Sequence, residues 1–184
     1  MKRTRLWPAV FLVAITMCGV QIVPASTPVE TITIPISEDT TLSSNLPDNN
    51  FGELLFPIGR FPALRIGWKP DGDHYRTLMR GDLSTIPPGA RITSAELALL
   101  IQGPRPEIPS VLRFHRISAS WVEGDGTGTG GEPLDGFSTW NSRQRRVPGM
   151  QWDLPGGDFV QEPFLTSPTF AKQPEDIVHI RFPT

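Results

Sequence analysis

Apolar positions along this 184-residue chain recur every second residue, in short runs that stop at proline or glycine. Period-2 alternation marks a strand with one buried face. Residues 74–101, HYRTLMRGDLSTIPPGARITSAELALLI, carry the clearest case. Thr77, Met79, Gly81 and Leu83 alternate with Leu78, Arg80 and Asp82. Ile86-Pro87-Pro88-Gly89 then predicts a turn, because proline presets φ and glycine accepts positive φ. Beyond it Ala95, Leu97, Leu99 and Ile101 share one face of a second strand, with Glu96 on the other. The expected unit is a β-hairpin over residues 75–101.

The remaining pattern extends this reading. Ile32, Ile34 and Ile36 predict a first strand, at a sheet edge because Pro35 cannot donate to a ladder. Residues 54–58 and 64–68 are short strand candidates ahead of a turn at Pro70-Asp71-Gly72-Asp73. Residues 111–117 predict another strand, and Val178, Ile180 and Phe182 a last one. Residues 123–158 are rich in glycine and predict long loops. With 20 prolines and 17 glycines scattered between the runs, no helical stripe of ordinary length survives. Many short strands divided by turn signals predict an all-β fold, an antiparallel β-sandwich or barrel. The last run reaches to within two residues of Thr184 with no partner specified, so the expectation is a sandwich lacking its last strands. No internal repeat is present.

The first residues change the accounts. Lys2, Arg3 and Arg5 precede a mostly apolar run from Leu6 to Val23, and Val23-Pro24-Ala25 has the small residues of a cleavage site. Residues 1–25 are therefore expected to be a signal peptide, with residues 26–184 a single secreted, extracellular domain. Pro8 early in the run argues against a retained anchor, and Met17 before Cys18 argues against lipidation. Removing the segment takes three positive residues and turns the net charge from −2 to −5. That balance argues against nucleic acid, which needs clustered Lys and Arg. It also removes the only cysteine, so the mature domain is disulfide-free.

Several motifs together resemble one family. Glu38-Asp39-Thr40-Thr41, Leu46-Pro47-Asp48-Asn49-Asn50-Phe51-Gly52, Tyr75-Arg76-Thr77-Leu78-Met79-Arg80 and Leu83-Ser84-Thr85-Ile86-Pro87-Pro88-Gly89-Ala90 look like the DNRLRE domain. Ile92-Thr93-Ser94-Ala95-Glu96-Leu97, Ser120-Trp121-Val122-Glu123-Gly124, Thr139-Trp140-Asn141 and Gly156-Gly157-Asp158-Phe159 follow in the same order. The family is related to disaggregatase-type carbohydrate-binding modules. Gly81 departs from it, standing where the family usually has a bulky aromatic. The resemblance implies an extracellular sandwich of jelly-roll type, with polysaccharide binding as in some relatives.

Candidate chemistry can be weighed against that implication. A pyranose has an apolar face that an indole covers at low entropic cost, and its hydroxyls want amides, carboxylates and arginines. Trp121, Trp140 and Trp152 lie in or beside polar loops, with Arg143 and Arg145 near Asn141, Gln144 and Arg146. Those five residues, Trp121, Trp140, Trp152, Arg143 and Arg145, form the expected carbohydrate site, and its arginines suit an acidic polysaccharide. The competing reading packs the same indoles into the core, and Trp68, at the end of a strand, fits it best. Glu38, Asp39, Asp125, Asp153 and Asp158 are loop carboxylates that could hold a structural calcium, although no EF-hand spacing is present.

Enzyme motifs are weak. Residues 126–131 satisfy G-x-G-x-x-G, but Pro133 follows and no helix can begin there to hold a phosphate. His74, His115 and His179 are isolated, and nothing selects a carboxylate pair. No catalytic residue is predicted. The expected function is a secreted, non-catalytic binding module for an extracellular polysaccharide. The alternative is a structural or adhesive domain that binds other surface proteins or its own copies.

Overall fold

Strand β3 (His74–Gly81) is the element on which the largest sheet is built. In the computed structural model, residues 29–52, 64–68, 72–100, 111–126, 134–169 and 177–182 are described. β1 (Ile36–Ser43) pairs antiparallel along one edge of β3, and the two-residue β2 (Gly67–Trp68) pairs along the other. β4 (Ala95–Leu100) pairs with β7 (Ile177–Phe182), and β5 (Arg113–Phe114) with β6 (Leu165–Thr166), both antiparallel. The fold is all-β, in small antiparallel sheets. Among the described residues the one helical element is a 3₁₀ turn at Leu83–Thr85. None of their helices is long and apolar enough to cross a membrane. Residues 32–184 belong to one compact unit. The other unit, Met1–Thr31, is described only at its last three residues, so the signal peptide expected over residues 1–25 lies outside the described residues.

The alternation read at residues 74–83 does make a strand, but the expected hairpin does not form. β3 and β4 lie in different sheets. The proline-glycine turn itself is present, with Gly89 at φ 80° and Ala90 N donating to Pro87 O at 3.1 Å. It sits inside a link that runs from residue 82 to 94 and also contains the 3₁₀ turn, where Asp82 accepts the Ser84 N–H. Hairpin loops hold about two to five residues, and a link of this length frees β4 to find another partner. That partner is β7, with Leu97 opposite Ile180 and Leu99 opposite Val178.

The first strand also lies further along than the isoleucines suggested. β1 begins at Ile36, and its ladder runs through Glu38, Asp39, Thr40, Thr41, Leu42 and Ser43. It is an edge strand of its sheet, as expected, and a bulge at Ser37 shifts its register. Ile34 precedes the ladder and lies over Gly81, its Cγ2 3.3 Å from where a β-carbon would stand. An isoleucine from the preceding segment thus occupies the space beside that glycine. Residues 54–58 and Ile101 lie outside the described residues. The strand expected over 111–117 shortens to β5 and a bridge from Ile117 to Phe159.

One face of the β1–β3 pair carries the core. Leu42 and Leu78 are buried and pack with Trp121 and Trp152, while Ile117, Ala119 and Trp140 close around them. Leu42 sits opposite Arg76, and Thr40 opposite Leu78, so the same face presents Arg76, Leu78 and Arg80 in a row. Fully burying a leucine contributes about 1.5–3 kcal/mol. Substituting Leu42, which has no exposed surface, by alanine is expected to lower stability by about 2–5 kcal/mol. Leu83→Ala, at a position 62% exposed, should shift it by less than about 0.5 kcal/mol, and urea unfolding of both variants reads the difference.

Candidate functional site

One buried carboxamide ties together the loops that follow Ala119 and the turn after β1. Asn50 is 3% exposed and uses every hydrogen-bonding position it has. Its Nδ2 donates to Glu123 O at 2.5 Å and to Ser138 O at 2.8 Å. Its Oδ1 accepts from Gly52 N at 3.2 Å and Gly126 N at 2.8 Å. Three segments distant in sequence meet at one side chain. A β-carbon on Gly124, whose φ is 83°, would lie 2.5 Å from Asn50 Oδ1 and 2.6 Å from the Phe137 ring, so glycine is required there.

From this hub the 134–152 loop is pinned along its length. Ser138 N donates to Val122 O, and Val122 N to Ser138 Oγ. Gly136 N donates to Arg145 O, Arg145 N to Phe137 O, Thr139 N to Ser142 O and Arg143 N to Met150 O. Asn141 N donates to Pro47 O, and its Nδ2 to Asp48 Oδ1 at 3.1 Å. The loop has little regular structure, as expected, yet few of its backbone groups are left to chance.

The expected site residues divide. Trp121 and Trp152 are core residues, 4% and 5% exposed, and Trp152 donates its indole N–H to Thr139 O at 2.8 Å. An indole with no open face cannot stack on a sugar ring, so the expectation of loop platforms is corrected at these two positions. Burial here follows from the polar loops themselves, which supply backbone carbonyls for the indole and let its rings turn inward. Trp140 is half-buried, at the edge of the same cluster. Arg143 donates to Gln151 O at 3.2 Å and Gly149 O at 2.9 Å, and Arg145 pairs with Asp135. Arg146 also approaches Asp135, at 3.5 Å, and its side chain is 68% exposed. It is the one described non-glycine residue with positive φ, 57°.

Two arginines of β3 lie over the indoles. Arg80 stands 4.9 Å from the Trp121 ring centre, donates to Trp121 O at 3.3 Å and pairs with Glu38 at 2.7 Å. Arg76 stands 5.1 Å from the Trp140 ring centre and 4.9 Å from that of Phe159, and donates to Gly156 O at 2.7 Å. Residue composition gave no sign of either contact. The signal was positional: arginines two residues to each side of Leu78 must share its face.

The candidate calcium ligands are dispersed. Glu38 pairs with Arg80, and Asp158 accepts the N–H groups of Asp153 and Leu154. Asp39 lies near Glu123, whose Oε1 accepts the Asp39 N–H at 3.0 Å. Asp125 and Asp153 are exposed. Among the described residues no group of three or more His, Cys, Asp or Glu is placed to hold a metal.

Two outcomes test this hub. Asn50→Asp keeps the shape but sets a carboxylate against the Glu123 and Ser138 carbonyls. It is expected to be destabilised by about 2–4 kcal/mol at pH 7, and by less once acid restores an O–H donor. Unfolding curves at the two pH values measure both. Asp39 is held above the ordinary carboxylate range, first by burial and then by the Glu123 charge. The folded state therefore holds its proton more tightly than the unfolded chain, and stability falls as pH rises from the ordinary value through the raised one. Asp39→Asn keeps the backbone N–H, so its melting temperature should exceed wild type at pH 7, with the gain gone below the ordinary carboxylate range.

Compared with known proteins, the chain matches no family model, no curated protein and no solved structure.

Proposed function

We propose that this protein is a secreted, non-catalytic binding module for an extracellular polysaccharide, built on a β-sandwich of jelly-roll type. One observation carries the reading. The 134–152 loop sets Trp140, Arg143, Arg145 and Arg146 on a backbone held by its own hydrogen bonds. That loop holds three arginines and one acidic residue, Asp135, which pairs with Arg145 and Arg146, within a chain that is acidic as a whole. Such preorganisation favours binding, since little ordering remains to be done when a ligand arrives. The motif order resembling the DNRLRE domain, and the signal-like residues 1–25, support the same reading. Arg143 and Arg145 contribute charge while their donors hold the loop, and Arg146, beside Asp135, is the most exposed of the three.

A second reading rests on a different face. Leu100 and Ile177 oppose each other across β4 and β7 and are 55% and 51% exposed. An apolar pair on a strand edge suits an adhesive domain that meets a protein or its own copies.

Affinity electrophoresis through polysaccharide gels separates the two. Glycine is favoured at the φ of Arg146, so Arg146→Gly should fold as well as wild type. Its retention in a gel that retards wild type should weaken about two- to fivefold, the effect of one exposed charge contact. Unchanged retention, or concentration-dependent assembly by light scattering with no glycan effect, would favour the adhesive reading instead.

A further inference from the structure

We infer that the guanidinium of Arg76, beside Trp140 and Phe159, is an oxyanion-receiving site for the acidic groups of a polysaccharide. This deepens the proposed function and rests on it.

Two arginines of β3 differ in their partners. Arg76 and Arg80 flank Leu78 on one face, and each lies over an indole. Arg80 has a carboxylate partner, Glu38. Arg76 has none among the described residues. Of the five N–H groups of a guanidinium, one finds an acceptor, Gly156 O. The residue as a whole is exposed, although its charged end lies against two rings. Partial burial of that end lowers its pKa. A cation that has lost part of its hydration and lacks a counter-ion gains most from an oxyanion supplied from outside.

The surroundings fix the fork in place. Gly156 has φ 91°, and a β-carbon there would come 2.6 Å from Arg76 Nη1 and 2.9 Å from the Trp140 ring. Its N–H donates to Trp140 O at 2.6 Å. Arginine, indole and glycyl backbone are thus mutually locked, which removes most of the entropy that a free arginine would lose on binding. The guanidinium offers paired N–H groups that match the oxygens of a carboxylate or of a sulfate ester. Trp140 and Phe159 lie beside it, both half-buried, and can border the apolar face of the same sugar. The net negative charge of the chain opposes a polyanion at long range, but that repulsion is screened beyond about 10 Å at 0.1 M salt.

The test uses three trisaccharides on the full mature chain: trigalacturonate, a sulfated trimer and a neutral glucose trimer. Binding is followed through the Arg76 Nε–H resonance, assigned by its disappearance in Arg76→Lys. Trigalacturonate or the sulfated trimer should shift that resonance, the responding arm identifying the oxyanion, while the neutral trimer should not. Arg76→Gln should bind the responding trimer at least about tenfold more weakly, the effect of losing one charge-assisted pair. If that variant does not fold, the wild-type titration decides alone. An acidic trimer that binds without moving the Arg76 resonance, or a neutral trimer that binds equally well, overturns this site and leaves the polysaccharide reading standing. Binding of none of the three, together with no retention in any polysaccharide gel, overturns both.

Discussion

The candidate site depends on a single saturated carboxamide. Asn50 joins the turn at residues 50–52, the 123–126 loop and Ser138, and no donor or acceptor on it is spare. Unpaired buried amides and carbonyls are each worth about 1–3 kcal/mol, so the four bonds act together as a lock. Once the lock is set, Trp121 is carried inward against Leu42 and Leu78, and the 134–152 loop is brought next to it through Ser138. Trp140, at the edge of the core, and Arg146 belong to the same loop that Asn50 holds through Ser138.

The interior that results is unusual in its mixture. Thr40, Thr41, Ser43, Ser138, Thr139, Ser142 and Ser167 are buried alongside a short set of apolar side chains. Several of these hydroxyls stand in for ladder bonds: Thr41 Oγ1 accepts from Arg65 N, and Ser167 Oγ from Leu112 N. Where sheets are small, side chains must satisfy backbone that would otherwise be unpaired. A domain with no cysteine after residue 25 is thus held by many polar contacts as well as by its hydrophobic cluster.

What the sequence made legible was local. The alternation at Leu78 and at Val178-Ile180 gave β3 and β7 because one apolar face was buried. β1 was displaced from its expected place because the ladder runs through ISEDTTLS, whose buried members are mostly hydroxylated and show no apolar alternation. The pairing of β4 with β7 could not be read, since alternation names a strand and not its neighbour. Trp121 and Trp152 depart from the expected loop positions for a related reason. Glycine and polar residues around Trp121 and Trp152 look like an exposed loop until the long-range bonds of Asn50 and Thr139 are known. In the sequence Arg76 and Arg80 are strand residues and nothing more, because their meaning lies in the rings that other segments bring over them.

The β4–β7 ladder has a consequence for how the chain reaches this state. Its register joins Ala95 to Phe182, and the Asn50 bond to Ser138 spans 88 positions. Contacts so distant along a polymer close slowly, because the intervening segment must give up its freedom before any reward arrives. While β7 is still being made, Leu97 and Leu99 of β4 lack the strand that they lie against among the described residues. In that interval an apolar strand stands open, and such exposed edges favour aggregation until they are closed.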